Sequence, residues 1–263
     1  MEVYLYGFAW PEPTRNFSYP GLEEIGPARP LELGGLAAIV SSIPPGAIES
    51  GLTRQPPDPD WIVPRALHHE RVVEAVQASA PVLPVRFGCV FSSPEALQAV
   101  ADQHRQPIEQ FLHEVTDQEE WSLKAYLDAD AAVETLLVTN PLLSERYRKL
   151  PTAPGTRYFL EKRLREDARD EARRGGRAAV EKLHRALLAT GFRVQIQKVQ
   201  EGEGRGRDLL LKTALLIPRV RIDEVFTNAE MTAASAGLVP LSVERSGPWP
   251  PYHFCPNLGE PAR

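Results

Sequence analysis

The segment Val82-Leu83-Pro84-Val85-Arg86-Phe87-Gly88-Cys89-Val90-Phe91 decides how the first half of this chain folds. It is an apolar run rich in valine and phenylalanine, which is typical of an extended strand rather than of a helix. Pro84 has no N–H to donate to a neighbouring strand, and this restricts the segment to a sheet edge or a bulge. We therefore expect an edge strand or a bulged strand here.

Arg86 is the charged residue inside this apolar run. A guanidinium group buried without a partner would cost several kcal/mol, so a buried Arg86 would need a carboxylate beside it. Glu70 and Glu120 are the expected partners. The alternative is that Arg86 binds another protein, and the sequence leaves both interpretations open.

Helices and strands flank this segment on both sides. Residues 65–80 carry apolar side chains at helical spacing. Ser93 and Pro94 begin a second helix as N-cap and first-turn residues, and its apolar stripe runs to Val115 with a kink expected at Pro107. Trp121 to Asp128 then alternates as a strand.

Two further strands, residues 3–8 and 35–42, precede these elements, separated by a proline-rich connection. This order predicts a first domain over residues 1–129, with helices on one face of an antiparallel sheet. Residues 130–245 are expected to form a second α+β domain. Residues 246–263 are expected to form a tail rich in proline and aromatic residues. A long helix over 155–190, interrupted at Gly175-Gly176, is expected to join the halves.

Composition excludes several classes of protein. The 263 residues are 43% hydrophobic and 25% charged, with a net charge of -5, which disfavours nucleic acid as a partner. No apolar run is long enough to cross a bilayer, and Glu2 stands where a signal peptide needs a base. We expect a soluble cytoplasmic protein. Cys89 and Cys255 have no metal-ligand spacing and predict two free thiols.

Several short patterns resemble catalytic or ligand-binding motifs, but none stands in the sequence context that its chemistry requires. The glycine-rich run 202–206 leads into a strand, whereas a phosphate-binding loop leads into a helix. The adjacent pair His68-His69 lacks the i,i+4 spacing of metal ligands on a helix, and we expect His69, like His104, to be a packed or hydrogen-bonded core histidine. Glu23-Glu24 and Glu119-Glu120 are interpreted as solvated charge. The sequence thus predicts no catalytic residue, no cofactor and no metal.

Three blocks carry a resemblance to a known family. They are residues 82–88, Glu120-Trp121-Ser122-Leu123-Lys124, and the terminal Gly247-Pro248-Trp249-Pro250-Pro251-Tyr252-His253-Phe254. Their order and spacing resemble the gas vesicle protein L/F family. His69 and the Tyr158-Phe159-Leu160 group also fit this pattern, so that the similarity covers nearly the whole chain.

The resemblance implies two modified ferredoxin-like domains joined by a long helical segment and followed by an extended C-terminal tail. It also implies a non-enzymatic minor structural or assembly component of gas vesicles that contacts the small, hydrophobic major shell protein and other gas vesicle accessory proteins. The candidate structural and interaction residues are Arg86, Phe87, Trp121, Trp249 and Tyr252.

For the tail, we expect Trp249 and Tyr252 to dock against the first domain and brace the two halves, or to dock on the shell protein instead. The alternative function is a ferredoxin-like ligand-sensing module or an enzyme, because that fold hosts many unrelated activities. An RNA-binding module is disfavoured by the acidic balance.

Overall fold

The chain folds into two compact units, each built on its own sheet. The computed structural model describes residues 1–200, 203–204, 206–235, 239 and 241–258. The first unit comprises residues 1–119 together with the chain from Trp249 onward, and the second comprises residues 120–248. The predicted α+β class, with two antiparallel sheets and helices, is confirmed.

Strand β1 (Glu2–Ala9) is central in the first sheet. One edge of β1 pairs with β3 (Leu36–Ile43), which pairs in turn with β2 (Arg29–Leu33); the other edge pairs with β4 (Val82–Pro84) and β5 (Val90–Phe91). All these pairings are antiparallel. The apolar segment 82–91 therefore forms two short strands, β4 and β5, which both pair with β1. Residues 85–89 connect these two strands.

The α-helices that the structure describes in the first unit are α1 (Pro11–Thr14), α2 (Glu49–Leu52), α3 (Pro59–Gln77), α4 (Pro94–Gln103) and α5 (Arg105–Glu114). Ser93 caps α4 as predicted, accepting the N–H of Ala96 at 3.3 Å. The expected single helix with a kink at Pro107 is wrong, since the helix breaks at His104. Pro107 cannot donate to the carbonyl of Gln103, and its ring crowds that carbonyl.

The core of the first unit lies between the sheet and α3. Fully buried aromatic and branched side chains from both elements fill it. Its members include Tyr4, Tyr6, Ile39, Ile43, Val72, Val73 and Val76.

The second sheet has the order β7-β8-β6-β9, from β6 (Gln118–Leu127), β7 (Arg193–Ile196), β8 (Asp208–Pro218) and β9 (Ser242–Trp249). Strands β7 and β8 pair antiparallel, with Arg193 opposite Leu216. Residues 201, 202 and 205 of the glycine-rich run, residues 238 and 240 near β9, and residues 259–263 of the tail lie outside the described residues.

Strand β6 lies in the second sheet, although the sequence placed it in the first domain. Leu123, Ala125 and Leu127 of this strand are fully buried in the second core. The division between the units therefore falls after Glu119, ten residues before the expected boundary at 129.

Within the described residues, the α-helices of the second unit are α6 (Ala129–Thr139), α7 (Pro141–Arg148), α8 (Pro154–Leu188) and α9 (Ile222–Ala234). The 35 residues of α8 are continuous, so the expected interruption at Gly175-Gly176 is wrong. A Cβ atom on Gly176 would meet Leu210 Cδ1 at 2.9 Å and Leu127 Cδ2 at 3.1 Å, so this glycine permits close helix–sheet packing. The whole of α8 falls within the second unit rather than joining the two.

Candidate functional site

Residues 85–89, the 85–89 loop, connect β4 to β5 and are fastened to β1 at both ends. The N–H of Val85 donates to the carbonyl of Tyr6 at 3.0 Å, and the N–H of Leu5 donates to the carbonyl of Cys89 at 2.9 Å. Gly88 has a φ of 92°, a conformation that favours glycine. The ends of the loop are therefore held in place by the strand beneath it.

Tyr4 and His69 hold the middle of the loop from inside the core. His69 Nε2 lies 2.9 Å from the carbonyl of Val85, and because a carbonyl only accepts, Nε2 carries the proton. His69 Nδ1 then accepts the hydroxyl of Tyr4 at 2.8 Å. The Tyr4 hydroxyl in turn accepts the N–H of Gly88 at 3.3 Å. Both ring nitrogens of His69 are thus engaged.

Burial keeps this network neutral. It lowers the pKa of His69 to about 4 and raises the pKa of Tyr4 far above its usual range. The prediction that His69 is a packed, hydrogen-bonded histidine is confirmed. Among the residues that the structure describes, no group of three or more His, Cys, Asp or Glu side chains could hold a metal ion.

Phe87 and Arg86 point to different environments. The half-buried ring of Phe87 lies 6.1 Å from that of His69 and 6.4 Å from that of Tyr4, measured between centroids. Arg86 is exposed and makes no ion pair with any acid in the described part of the chain. Its expected pairing with Glu70 or Glu120 is wrong, because the chain leaves the sheet after Pro84 and Arg86 lies on the loop.

The buried arginine of this unit is Arg65 on α3, which is only 5% exposed. Its guanidinium donates to both oxygens of Glu24, at 2.9 and 3.0 Å, and also pairs with Glu23. It stacks 4.3 Å above the ring of Trp61. The hydrogen bonds from Arg65 lower the pKa of Glu24. Both acids are therefore ion-pair partners of Arg65; Glu24 is partly buried, while Glu23 remains exposed to water as expected.

The C-terminal tail packs on the first unit. The hydroxyl of Tyr252 donates to Glu70 Oε1 at 3.0 Å, and Cys255 Sγ lies 3.6 Å from the carbonyl of Pro84. Gln77 Nε2 donates to the carbonyl of Trp249 at 3.0 Å, while the Trp249 residue stays 44% exposed. Burial raises the pKa of Glu70 and of Tyr252. Tyr252 is thus a structural contact in this unit, and Trp249 presents apolar surface.

Trp121 belongs to the second unit and is half-buried in it. Its ring meets that of Phe226 edge-on at 5.7 Å, and the guanidinium of Arg245 lies 5.9 Å from its centroid. A Cβ atom on Gly247, whose φ is 148°, would meet Trp121 Cδ2 at 2.9 Å and the carbonyl oxygen of Glu120 at 3.0 Å. This contact explains why a glycine stands at the start of the terminal block.

The sequence reasoning missed Tyr4 and the Tyr252–Glu70 hydrogen bond. Alternation along β1 places Tyr4 and Tyr6 on one face, and this signal alone could have indicated a buried hydroxyl pair. Tyr6 Oη lies 3.1 Å from Ser41 Oγ, so both phenols are satisfied inside the core. The Tyr252–Glu70 contact spans 182 positions and has no local signal.

An open apolar groove lies on the outer side of α3. It measures about 280 Å³ and is lined by Leu22, Val63, Pro64, Leu67, His68 and Arg71. His68 Nε2 is buried without a hydrogen-bond partner among the described residues. Burial lowers the pKa of His68, which favours the neutral ring.

Apart from Arg86, the titratable groups of the 85–89 loop and its network are at least partly buried or already hydrogen-bonded. His69 has no free ring nitrogen, and burial raises the pKa of the Cys89 thiol to about 11, so its nucleophilic thiolate is scarce near pH 7. Arg86 is the charged group that the 85–89 loop exposes. The site is therefore suited to recognition.

Helices that could cross a membrane do not occur in the described part of the chain. The long helix α8, the length of which would suffice, carries charged residues throughout.

Known proteins resemble this chain over nearly its full length. It is 28% identical over 262 residues to gas vesicle protein F of Streptomyces sp. (strain CB03234), covering 97% of this chain and 99% of that protein. Gas vesicle protein L of the same organism is 25% identical over 254 residues, covering 95% and 91%.

Two crystal structures share the fold. GvpF from Anabaena sp. PCC7120 superposes with a TM-score of 0.67 at 16% identity, covering 97% of this chain and 98% of that chain. GvpF from Microcystis aeruginosa gives a TM-score of 0.58 at 18% identity, covering 97% and 99%. The family model described as "Gas vesicle synthesis protein GvpL/GvpF" matches residues 2–256. Because this model matches nearly the whole chain, this chain belongs to the GvpL/GvpF family of gas vesicle proteins.

Proposed function

We propose that this protein is an accessory component of gas vesicle formation, structural or assembly-related, that binds the major gas vesicle shell protein. The observation that carries the proposal is Arg86, an exposed guanidinium on a loop held by buried hydrogen bonds. Arginine and tryptophan are enriched among residues that dominate binding energy at protein interfaces. The exposed surface of Trp249 is the second contact that we assign to this partner.

Phe87, Tyr252 and Trp121 have structural roles in this proposal. Phe87 and Tyr252 each contact side chains of the first unit, and Trp121 packs against Phe226 in the second. Substitutions at these three positions are expected to act through stability, whereas substitution of Arg86 is expected to act on binding alone.

The protein acts without catalysis in this proposal and works in the cytoplasm, associated with gas vesicles. The neutral, fully hydrogen-bonded His69 and the scarce thiolate of Cys89 support a role in recognition. Other gas vesicle accessory proteins are further partners, and nucleic acid and membrane are not. The alternative of a ligand-sensing module or an enzyme would be favoured by turnover that a single substitution at His69, Glu120 or Cys89 abolishes.

Deletion of the gene in a gas vesicle-forming host, with electron microscopy of the cells, tests the role. Cells without the gene should lack normal vesicles, and the wild-type gene should restore them. Binding of the purified protein to the shell protein should weaken in Arg86→Ala. Arg29→Ala, an exposed arginine on the edge strand β2, is the matched control. Normal vesicles in the deleted strain would refute the role, and equal binding by both variants would refute the assignment of Arg86.

A further inference from the structure

Five large apolar side chains lie exposed near one end of the α6, α7 and α8 helices of the second unit. We call this group the apolar tip: Val138, Leu142, Tyr158, Phe159 and Leu160. Phe159 is 72% exposed and Tyr158 is 64% exposed, with their ring centroids 5.6 Å apart. Each aromatic ring can bury about 150–250 Å² of surface, so leaving both in water is costly.

Ion pairs bring these residues to the same end of the helices. Arg165 pairs with Glu134 and Arg169 pairs with Asp130, so α6 runs antiparallel to α8. One turn beyond Glu134, Val138 then lies level with residue 161, beside Leu160. Leu142 follows at the start of α7, which is tied to α8 by the Arg146–Asp167 pair at 2.7 Å.

The surroundings of the tip are basic in an acidic protein. Residues 141–163 contain six basic and two acidic side chains, a net charge of +4, whereas the whole chain carries -5. Lys162 and Arg163 are exposed and make no ion pair with any described residue, and Arg148 likewise pairs with no described acid. The tip therefore combines exposed aromatic surface with three cations, Arg148, Lys162 and Arg163, that pair with no described acid.

The first turn of α8 adds to the positive potential. Ala153 at its N-cap offers no side-chain acceptor, and the first turn holds no acidic residue. Free backbone N–H groups and the helix dipole favour negative charge at this point. Separate carboxylates of a partner could thus bind at the helix start and beside the unpaired cations.

We propose that the apolar tip binds a protein segment in which acidic side chains flank apolar ones, within another gas vesicle protein. Charge complementarity selects this occupant. Two copies of the chain meeting tip to tip would bring the unpaired cations Arg148, Lys162 and Arg163 of each copy together, which opposes self-association. Glu145 and Glu161 lie in the same stretch of chain as the tip and would repel the phosphates of an anionic bilayer, whereas a discrete segment can place its carboxylates beside Lys162 and Arg163.

The inference rests on the proposed function only for the choice of partner proteins. It is tested on an array of overlapping peptides from the shell protein, the other gas vesicle proteins and this chain, probed with the purified full-length protein. Binding should concentrate on peptides that carry both acidic and apolar residues. Phe159→Ser and the double variant Lys162→Glu/Arg163→Glu should each lower affinity for those peptides at least about tenfold, with unchanged melting.

Matched controls come from the other end of the same helix. Leu188→Ser and Lys182→Glu change an exposed apolar residue and an exposed cation of α8, and they should bind as the wild type does. Equal binding by the tip variants and the controls would overturn the inference while leaving the proposed function standing. Binding confined to peptides of this chain, or binding only to vesicles of anionic lipid, would overturn it as well.

Discussion

The hydroxyl oxygen of Tyr4 lies 2.8 Å from Nδ1 of His69, although the two residues are 65 positions apart. This hydrogen bond joins the central strand β1 to helix α3. Because His69 also donates to Val85 and Tyr4 also accepts from Gly88, the same pair fixes the loop that exposes Arg86. The core and the proposed binding surface of the first unit therefore depend on one buried polar network.

Removing the Tyr4 hydroxyl should destabilise the protein. Tyr4→Phe leaves the buried Nδ1 of His69 without a donor, and an unsatisfied buried acceptor costs about 1–3 kcal/mol. Urea unfolding of the purified protein measures this loss. Tyr158→Phe removes an exposed hydroxyl and should change the free energy of unfolding by less than about 0.5 kcal/mol. Equal effects of the two substitutions would contradict the role of the network.

Stability should fall with acid through His69. Its pKa is about 4 in the folded protein, whereas an unperturbed histidine has a pKa of about 6.5. The unfolded state thus binds the proton first, so the contribution is fully present above pH 6.5 and is lost as pH falls toward 4. The total is about 3 kcal/mol.

The comparison with His69→Gln isolates this effect. The stability gap between wild type and variant should narrow by about 3 kcal/mol from pH 7 to pH 4. His68, the pKa of which is also lowered by burial, is present in both proteins, so its contribution cancels. A gap that stays constant with pH would show that His69 does not titrate in this way.

Arg65 should matter for stability and Arg86 should not. Breaking a buried ion pair costs about 3–5 kcal/mol, but Glu23 is 60% exposed and water screens its share, so Arg65→Ala should lose about 2 kcal/mol. Arg86→Ala should lose less than about 0.5 kcal/mol. Thermal and urea unfolding of both variants check the order, and the reverse order would contradict the structure.

The contrast between these arginines shows where sequence reasoning ends. The apolar run around Arg86 favours burial of its side chain. Whether Arg86 is buried depends, however, on where the chain leaves the sheet. Gly88 is the local residue that indicates a turn there. Nothing in the sequence near Arg65 indicates that Glu23 and Glu24, more than 40 positions away, close over it. Ion pairs between distant segments are set by the fold and are not visible in local pattern.

Local signals did predict local structure. The caps at Ser93 and the alternation of residues 121–128 gave a helix start and a strand where the structure has them. Alternation of apolar and polar residues does not indicate which sheet a strand joins. The sequence therefore places β6 in the first sheet, whereas the structure has it in the second. The Gly175-Gly176 pair predicts a break because helix propensity is a local property, whereas the packing of Gly176 against Leu127 and Leu210 is not local.

The tail should stabilise the first unit. Truncation after Trp249 leaves β9 intact and removes Tyr252 and the buried Phe254, so the melting temperature of the purified protein should fall. Tyr252→Phe should lose about 1 kcal/mol, because Glu70 loses a hydrogen bond. Differential scanning calorimetry measures both effects. A truncated protein that melts at the wild-type temperature would show that the tail packing contributes nothing.

The double attachment of the 85–89 loop to β1 bears on how fast and how tightly the protein can engage a partner. A mobile loop loses conformational entropy when it enters an interface, and that loss weakens affinity. Here hydrogen bonds of Val85, Gly88 and Cys89 fix the backbone of the loop in the folded protein. The conformational entropy of the loop is therefore lost during folding and not on binding. Arg86 is thus carried on a preorganised backbone, and the free and bound conformations of the loop should be nearly the same.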